Sequence, residues 1–307
     1  MPLTAVTSTV AAAGGIWYWL SLSPPQTLRL RLPSEPSHSA RRAPSAHAPV
    51  DIEGTFQAFE ETAKRVAGTW PRFRGSTSDN IVTQPGTLSE EWPESGPPVL
   101  WSVALGDGYA APAVANSRVY VLDYDEDEKR DALRCFSLAT GQELWRRSYA
   151  VQIKRNHGMS RTIPAVTDRH VVTVGPKCHV LCVDAITGAF RWGLDLVADH
   201  GTDVPLWYTG QCPIIDEGEA IIAPGGESLL MGVDCESGQV AWRTPNPDAW
   251  GMSHASVIPT TLFGTRMFVY CALGGIVAVS ADTESRGQVL WKTTEWKHSV
   301  VAPSPVF

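Results

Sequence analysis

The sequence predicts an all-β fold, a β-propeller of four-stranded antiparallel blades, from three observations. A small polar turn followed by glycine and tryptophan recurs, as in LATGQELW, AITGAFRW and CESGQVAW. The interval is about 50 residues, within the range of propeller blades and of paired-helix repeats. Between the turns lie short β-branched segments bounded by glycine or proline, as in RVYVLDYD and HVVTVGP. Such segments are typical of strands, so blades are favoured over helix pairs.

Each motif combines a hairpin turn with a tryptophan. The small polar residue and the glycine suit a tight turn with positive φ, which would join the third strand of a blade to the fourth. The tryptophan follows on the outermost strand, where its indole can cover the gap to the next blade. We therefore predict a structural role, not ligand contact, for the eight motif residues: Gly141, Trp145, Gly188, Trp192, Gly238, Trp242, Gly287 and Trp291.

The motif count predicts about four complete blades plus strands of a fifth. In the second repeat, strands are expected at about 161–167, 170–175, 179–184 and 190–195. Residues 98–103 carry Trp101 and are expected to form an outer strand of a further blade. Because the sequence stops one inner strand into the fifth blade, we expect a truncated chain, an incomplete ring and an exposed blade edge.

The N-terminal part is predicted to differ from the propeller of residues 98–307. Residues 1–22 contain an uncharged apolar run, shorter than the roughly 20 residues of a membrane span, and form a signal-like or anchor-like segment. Residues 23–50, rich in Pro, Ser, Ala and Arg, indicate a disordered linker. Residues 51–97 lead into the repeats with one short helix near 55–66, where a threonine N-cap precedes early acids and late bases.

This arrangement predicts an exported protein, periplasmic or in the cell envelope, with an N-terminus that contacts or anchors in the membrane. The alternatives for the first residues are a mispredicted start or an unstructured tail. The net charge is −7 although residues 1–50 hold four arginines and one glutamate, a net +3 that leaves −10 for the remainder. An acidic body argues against nucleic acid as a partner.

Cysteines and acidic residues indicate no metal centre. The six cysteines include no CxxC pair, and we expect free thiols in the core between blades. Residues 124–131, YDEDEKRD, lack the spacing and glycine of an EF-hand loop and are interpreted as a solvated hairpin loop.

Functional side chains collect in the loops that precede the innermost strands, which line the central channel of a propeller. The echo between HGMSRTIP and GMSHASVIP places Arg161 and His254 at equivalent positions. Such a cluster could bind a carboxylate, a phosphate or a quinone, or three neutral histidines could hold a metal. The alternative is that these loops only satisfy backbone groups. The ligand-binding candidates are Tyr109, His157, Arg161, Trp207, Tyr208, Gln211, His254 and His298, with Lys154, Arg155 and Lys297 beside them.

The pattern DxxTGxxxW, clearest in VDAITGAFRW, resembles the repeat of pyrroloquinoline-quinone (PQQ)-type β-propellers, and WPRFRG at 70–75 resembles the segment that leads into such bacterial propellers. The superfamily includes quinoprotein alcohol dehydrogenases and an outer-membrane assembly lipoprotein whose propeller is a cofactor-free scaffold. The dehydrogenases carry an adjacent Cys-Cys pair, calcium-binding Glu and Asn, and an aspartate base. This sequence has no Cys-Cys dipeptide, so no catalytic residue is assigned.

The resemblance therefore implies an exported binding or scaffold module, with envelope proteins or a small anionic or sugar ligand as partners. The alternative is a PQQ-dependent dehydrogenase that oxidises alcohols or sugars with quinone and calcium as cofactors.

Overall fold

The computed structural model describes residues 17–18, 49–82, 89, 91–154 and 159–307. The described chain contains four antiparallel sheets, each made from consecutive strands. Blade 1 consists of β2 (Ala113–Ala115), β3 (Arg118–Asp125), β4 (Arg130–Ser137) and β5 (Glu143–Ala150), with β1 (Thr55–Ala58) added outside β5. Blade 2 consists of β6 (Ala165–Val166), β7 (His170–Val174), β8 (His179–Asp184) and β9 (Phe190–Asp195).

A short helix, α1 (Leu196–His200), follows blade 2 and is capped by the Asp195 side chain. Blade 3 consists of β10 (Ile214–Asp216), β11 (Glu219–Ile222), β12 (Ser228–Asp234) and β13 (Val240–Pro245). Blade 4 consists of β14 (Ile258–Leu262), β15 (Thr265–Ala272), β16 (Gly275–Ser280) and β17 (Val289–Thr293). The predicted partial propeller of four-stranded blades is confirmed.

The hydrophobic core lies between neighbouring blades. Each of the three largest buried clusters combines side chains of two consecutive sheets, because the alternating side chains of one sheet face those of the next. Representative pairs are Tyr120 and Val183 for blades 1 and 2, Cys182 and Met231 for blades 2 and 3, and Leu230 and Phe268 for blades 3 and 4. All six cysteines are free and buried, as predicted.

Each motif tryptophan that has a following blade packs on the turn glycine of that blade. The turn glycines have φ between 71° and 87°, a conformation that disfavours any other residue. A Cβ added to any of them would meet the preceding indole at under 3.0 Å. The pairs are Trp101 with Gly141, Trp145 with Gly188, Trp192 with Gly238 and Trp242 with Gly287.

Two of the predicted elements are wrong. Residues 55–66 contain no helix: Thr55–Ala58 is strand β1, in register with β5 from Ser148 to Trp145. The added ladder and the Phe56 ring, 5.0 Å from the Arg147 guanidinium carbon, outweigh a charge pattern that favours a helix only weakly. Residues 98–103 form no strand either, although Trp101 packs on Gly141 as a strand tryptophan would.

Residues 70–75, WPRFRG, form a segment that contacts the innermost strands of blades 1, 2 and 3. Its backbone pairs with β2, and Arg72 donates to a carbonyl of β10. One chain segment thereby ties three blades and residues 304–305 together. The contacts are, in order, Trp70 with Val114, Pro71 with Val166, Arg72 with Ile215, and Arg74 with Ser304 and Pro305.

Among the described residues, no helix has the length and apolar character needed to cross a membrane. The predicted segment 1–22 lies outside the described residues except for 17–18, and the linker 23–50 does so except for 49–50.

Candidate functional site

Loops that link one blade to the next supply most of the candidate residues. Antiparallel pairing places the start of every innermost strand at the same end of the blades, so residues 107–112, 151–154, 159–164, 196–213 and 246–257 lie towards that end. We call five side chains from these loops the mouth cluster: Tyr109, Arg161, Trp207, Tyr208 and His254.

Arg161 is the charged centre of the mouth cluster. Its side chain is half-buried, and burial lowers the pKa of the guanidinium, an effect that Tyr109 and Tyr208 oppose. Burial, and then the charge of Arg161, lower the pKa of His254 below its ordinary value. The imidazole is therefore biased towards its neutral form beside a permanent cation.

Trp207 and His254 stack on each other. Their ring centroids lie 6.1 Å apart with an interplanar angle of 22°. Gly210 makes room for His254, because a Cβ there would lie 3.1 Å from both the Cβ and the Nδ1 atom of that histidine. The His254 backbone is also fixed, since its N–H donates to the Val301 carbonyl at 2.8 Å.

The tyrosines of the mouth cluster differ in exposure. Tyr208 has φ of +66°, and its hydroxyl accepts a hydrogen bond from the backbone N–H of Lys154 at 2.7 Å. It therefore links two of the loops. Tyr109 is 74% exposed, although its backbone N–H donates to the Ser160 carbonyl at 2.7 Å. Its ring is available to a ligand, whereas the Tyr208 hydroxyl is already engaged.

Three predicted candidates are not among the five residues of the mouth cluster. Gln211 is buried, and its amide bonds the backbone N–H and carbonyl of Ala223 at 2.8 and 3.0 Å, so it holds the fold in place. His298 is exposed and meets Trp296 edge-on at 4.9 Å. His157 lies outside the described residues.

The five side chains of the mouth cluster include no carboxylate. Among the described residues, no three His, Cys, Asp or Glu side chains come together as a metal site would require. The mouth cluster offers instead one guanidinium, one imidazole and exposed aromatic surface. Such a set can bind an anionic group and stack on a flat or apolar face.

Sequence reasoning missed a buried polar group beside these loops. The prediction of a solvated hairpin loop at 124–131 is wrong at both ends, because Tyr124 and Asp131 are only 1% and 2% exposed. These two lie on strands β3 and β4, and the Asp131 side chain meets blade 2, where a Cβ on Gly175 would lie 2.7 Å from its Oδ2. No local signal distinguishes Asp131 from its exposed neighbours.

Comparison with known proteins identifies the repeat type. A family model described as "Outer membrane protein assembly factor BamB", of the PQQ-repeat type, matches residues 129–299. No curated protein matches the chain.

Solved structures with similar folds include BamB from Moraxella catarrhalis, at 18% identity, TM-score 0.45, 65% of this chain and 52% of that one. A europium-containing methanol dehydrogenase is 16% identical with a TM-score of 0.42, and the match covers 60% of this chain and 41% of that one. The quinohemoprotein alcohol dehydrogenase from Comamonas testosteroni is 17% identical with a TM-score of 0.43, and the match covers 62% of this chain and 35% of that one. The chain spans about half or less of the length of these structures.

Proposed function

Because the chain belongs to the family of the outer-membrane protein assembly factor BamB, we propose that it is an exported propeller that serves as a binding or scaffold module in the cell envelope. The family match over residues 129–299 is the observation that carries this proposal. Its partners would be envelope proteins engaged in outer-membrane protein assembly.

The architecture suits a scaffold. Backbone ladders hold each blade together, and Trp–Gly packing and arginine–carboxylate pairs join neighbouring blades. A rigid frame leaves its loops free to vary, and binding residues concentrate on loops held by such a frame. The mouth cluster, on three inter-blade loops and the loop before β2, is where a partner or ligand would make specific contacts.

Cell fractionation and affinity capture test this function. A C-terminally tagged chain should be recovered with the envelope fraction and should retain outer-membrane assembly proteins through washes at several salt concentrations. The double variant Arg161→Ala/His254→Ala tests whether the captured proteins bind at the mouth cluster or elsewhere on the surface. Recovery in the cytoplasmic fraction, or retention of no envelope protein, would refute the proposal.

A second candidate function is binding of a small anionic or sugar ligand at the mouth, without catalysis. The observation that favours it is the half-buried Arg161 beside the stacked Trp207–His254 pair. Calorimetric titration with citrate and with glucuronate is the direct measurement. We expect Arg161→Ala to abolish binding at an unchanged melting temperature.

Arg169→Ala is the matched control, because Arg169 lies only a few residues further along the chain, in the β6–β7 turn, but is 69% exposed and pairs with Glu236. It should leave binding intact. Titration with PQQ and calcium in the same series addresses the dehydrogenase alternative, for which a bound chromophore and dye reduction with an alcohol would be required.

A further inference from the structure

Two buried cysteines meet across the junction of blades 2 and 3. Cys182 lies on β8 and Cys235 directly follows β12, and both side chains are fully buried. The Cys182 thiol donates to the Cys235 carbonyl at 3.6 Å, and it also interacts with the Cys235 thiol. The two side chains are therefore in contact between two packed sheets.

The backbone on both sides of this contact is held by hydrogen bonds. Cys182 pairs with Trp192 in the ladder between β8 and β9, and the Trp192 indole Nε1 donates to the same Cys235 carbonyl at 2.9 Å. The Cys235 N–H donates to the Gly218 carbonyl at 2.9 Å. A disulfide requires two Cβ atoms about 3.5–4.5 Å apart, a separation that thiols already in contact can reach by small side-chain rotations.

The repeat shows that packing at this position does not require a thiol. In blades 2 and 4 the position of Cys235 is held by Ala185 and Ala281, which are equally buried. All three N–H groups donate to a carbonyl near the start of the second strand of their blade. At the junction of blades 1 and 2, Cys135 takes the place of Cys182 and shares one buried cluster with Ala185. Alanine therefore fills the same site, and what Cys235 adds is a second sulfur atom beside the first.

Two of the other cysteines have partners that are not thiols. Cys178 Sγ lies 3.1 Å from the Thr209 hydroxyl and 3.8 Å from the Met252 sulfur. Cys212 Sγ accepts the Ile163 N–H at 3.2 Å. Cysteines 182 and 235 are therefore the pair that the described contacts select.

Burial makes this pair slow to react once the two sheets have packed. The hydrogen bond with Cys235, and then burial, raise the pKa of Cys182 well above that of an ordinary thiol. The thiolate is the attacking species in thiol–disulfide exchange, so a thiol that resists ionisation and is closed off from solvent exchanges slowly. A bond between the two sulfur atoms therefore forms most readily during folding, before blades 2 and 3 close on each other.

We propose that Cys182 and Cys235 form an inter-blade disulfide when the chain folds in the presence of a disulfide oxidant, such as oxidised glutathione or a disulfide oxidoreductase. One cysteine thiolate attacks the oxidant's disulfide and releases one of its sulfurs as a thiolate. The other cysteine thiolate then attacks the mixed disulfide, which forms the bond between the two cysteines and releases the oxidant's second sulfur. Two electrons and two protons thus pass to the oxidant. An envelope location, as in the proposed function, would supply such an oxidant, but the test uses the purified chain, so the two proposals can fail independently.

Refolding of the full chain in a buffer of reduced and oxidised glutathione tests this proposal. The reduced, unfolded chain is refolded, the remaining thiols are alkylated with N-ethylmaleimide under denaturing conditions, and peptides are mapped by mass spectrometry without reduction. Four of the six cysteines should be alkylated, and one linked peptide should join Cys182 to Cys235. The chain refolded in dithiothreitol should have all six alkylated. Because the bond links strands 53 residues apart, the oxidised chain should melt about 5–10 °C above the reduced one.

Two alanine variants separate this pair from the other thiols. Cys235→Ala introduces the residue that blades 2 and 4 carry at the same position, so it should fold, and it should lose both the linked peptide and the rise in melting temperature. Cys135→Ala removes a buried thiol of the neighbouring junction and should retain both. The proposal is overturned if the refolded wild type keeps six free thiols, if the linked peptide joins a different pair, or if Cys235→Ala shows the same rise in melting temperature.

Discussion

The indole of Trp145 on blade 1 lies against Gly188 in the turn of blade 2. A Cβ at Gly188 would fall 2.6 Å from the indole Cδ2, and the indole Nε1 donates to the Ile186 carbonyl of the same turn at 3.1 Å. Gly188 itself has φ of +71°. The glycine is therefore required twice, by the backbone conformation and by the approach of the ring.

Replacement of Gly188 by alanine should separate these two requirements. We expect Gly188→Ala to lower the free energy of unfolding by about 2–4 kcal/mol, because strain at positive φ adds to a clash with a buried ring. Gly218→Ala is the matched control: Gly218 has φ of +84° but nothing within 4 Å of an added Cβ. It should lose only about 1 kcal/mol. Equal losses in urea unfolding would show that the indole contact is unimportant.

The motif tryptophans should differ in their contribution to stability. Trp192 is 6% exposed and its Nε1 donates to the Cys235 carbonyl at 2.9 Å, whereas Trp291 on β17 is 41% exposed. We expect Trp192→Ala to cost about 3–5 kcal/mol of unfolding free energy, as for other buried tryptophans. Trp291→Ala should cost less than about 1.5 kcal/mol. A comparable loss at both positions would contradict the inter-blade role.

The positions of the blade strands can be predicted from the sequence because the same motif recurs in each blade. Strands β8 and β9 lie at 179–184 and 190–195 as predicted, since turn chemistry and β-branched runs act locally. The predicted helix at 55–66 failed for the opposite reason. Its β structure depends on pairing with β5, about 90 residues away in sequence, and no local preference encodes that contact.

An arginine at the junction of blades 3 and 4 gives a third prediction. Arg286 is 9% exposed and contacts Asp216, Glu217 and Glu219, all on the β10–β11 hairpin. Arg286→Met should destabilise the fold by about 3–5 kcal/mol, because it leaves the largely buried Asp216 with less compensation.

The same substitution should raise the pKa of Asp216, which burial already raises and which Arg266 and Arg286 lower. The control is Arg169→Met at the junction of blades 2 and 3, where both partners are largely exposed and the loss should stay below about 1 kcal/mol. Chemical denaturation at neutral pH distinguishes the two variants. Similar small losses would mean that the Arg286 network contributes no more than a surface pair.

The mouth cluster could be predicted only in part. Position in the repeat predicted that Arg161 and His254 lie close together, and the structure places them within electrostatic range. For His298 the same expectation stays a prediction: its ring meets Trp296 edge-on in a segment without regular structure. Gln211 shows a further limit, because whether a polar side chain faces a channel or caps a backbone group depends on its rotamer and not on the repeat.

The coupling between Arg161 and His254 leads to the last prediction. Burial and the Arg161 charge both lower the pKa of His254, so Arg161→Ala should raise that pKa towards the ordinary histidine value. Because a lowered histidine pKa makes the folded state bind fewer protons than the unfolded state, it destabilises the fold as pH falls below about 6.5. Arg161→Ala should therefore also weaken the loss of stability on acidification.

Histidine NMR titration measures the effect directly, and the chain contains its own control. His200 is held below its ordinary pKa by burial and by Arg243, without Arg161 among its neighbours. Arg243→Ala should therefore raise the pKa of His200 and leave His254 unchanged, while Arg161→Ala should do the reverse. If both histidines responded equally to each variant, the pKa shifts would reflect general changes in stability. A direct electrostatic interaction between Arg161 and His254 would then be contradicted.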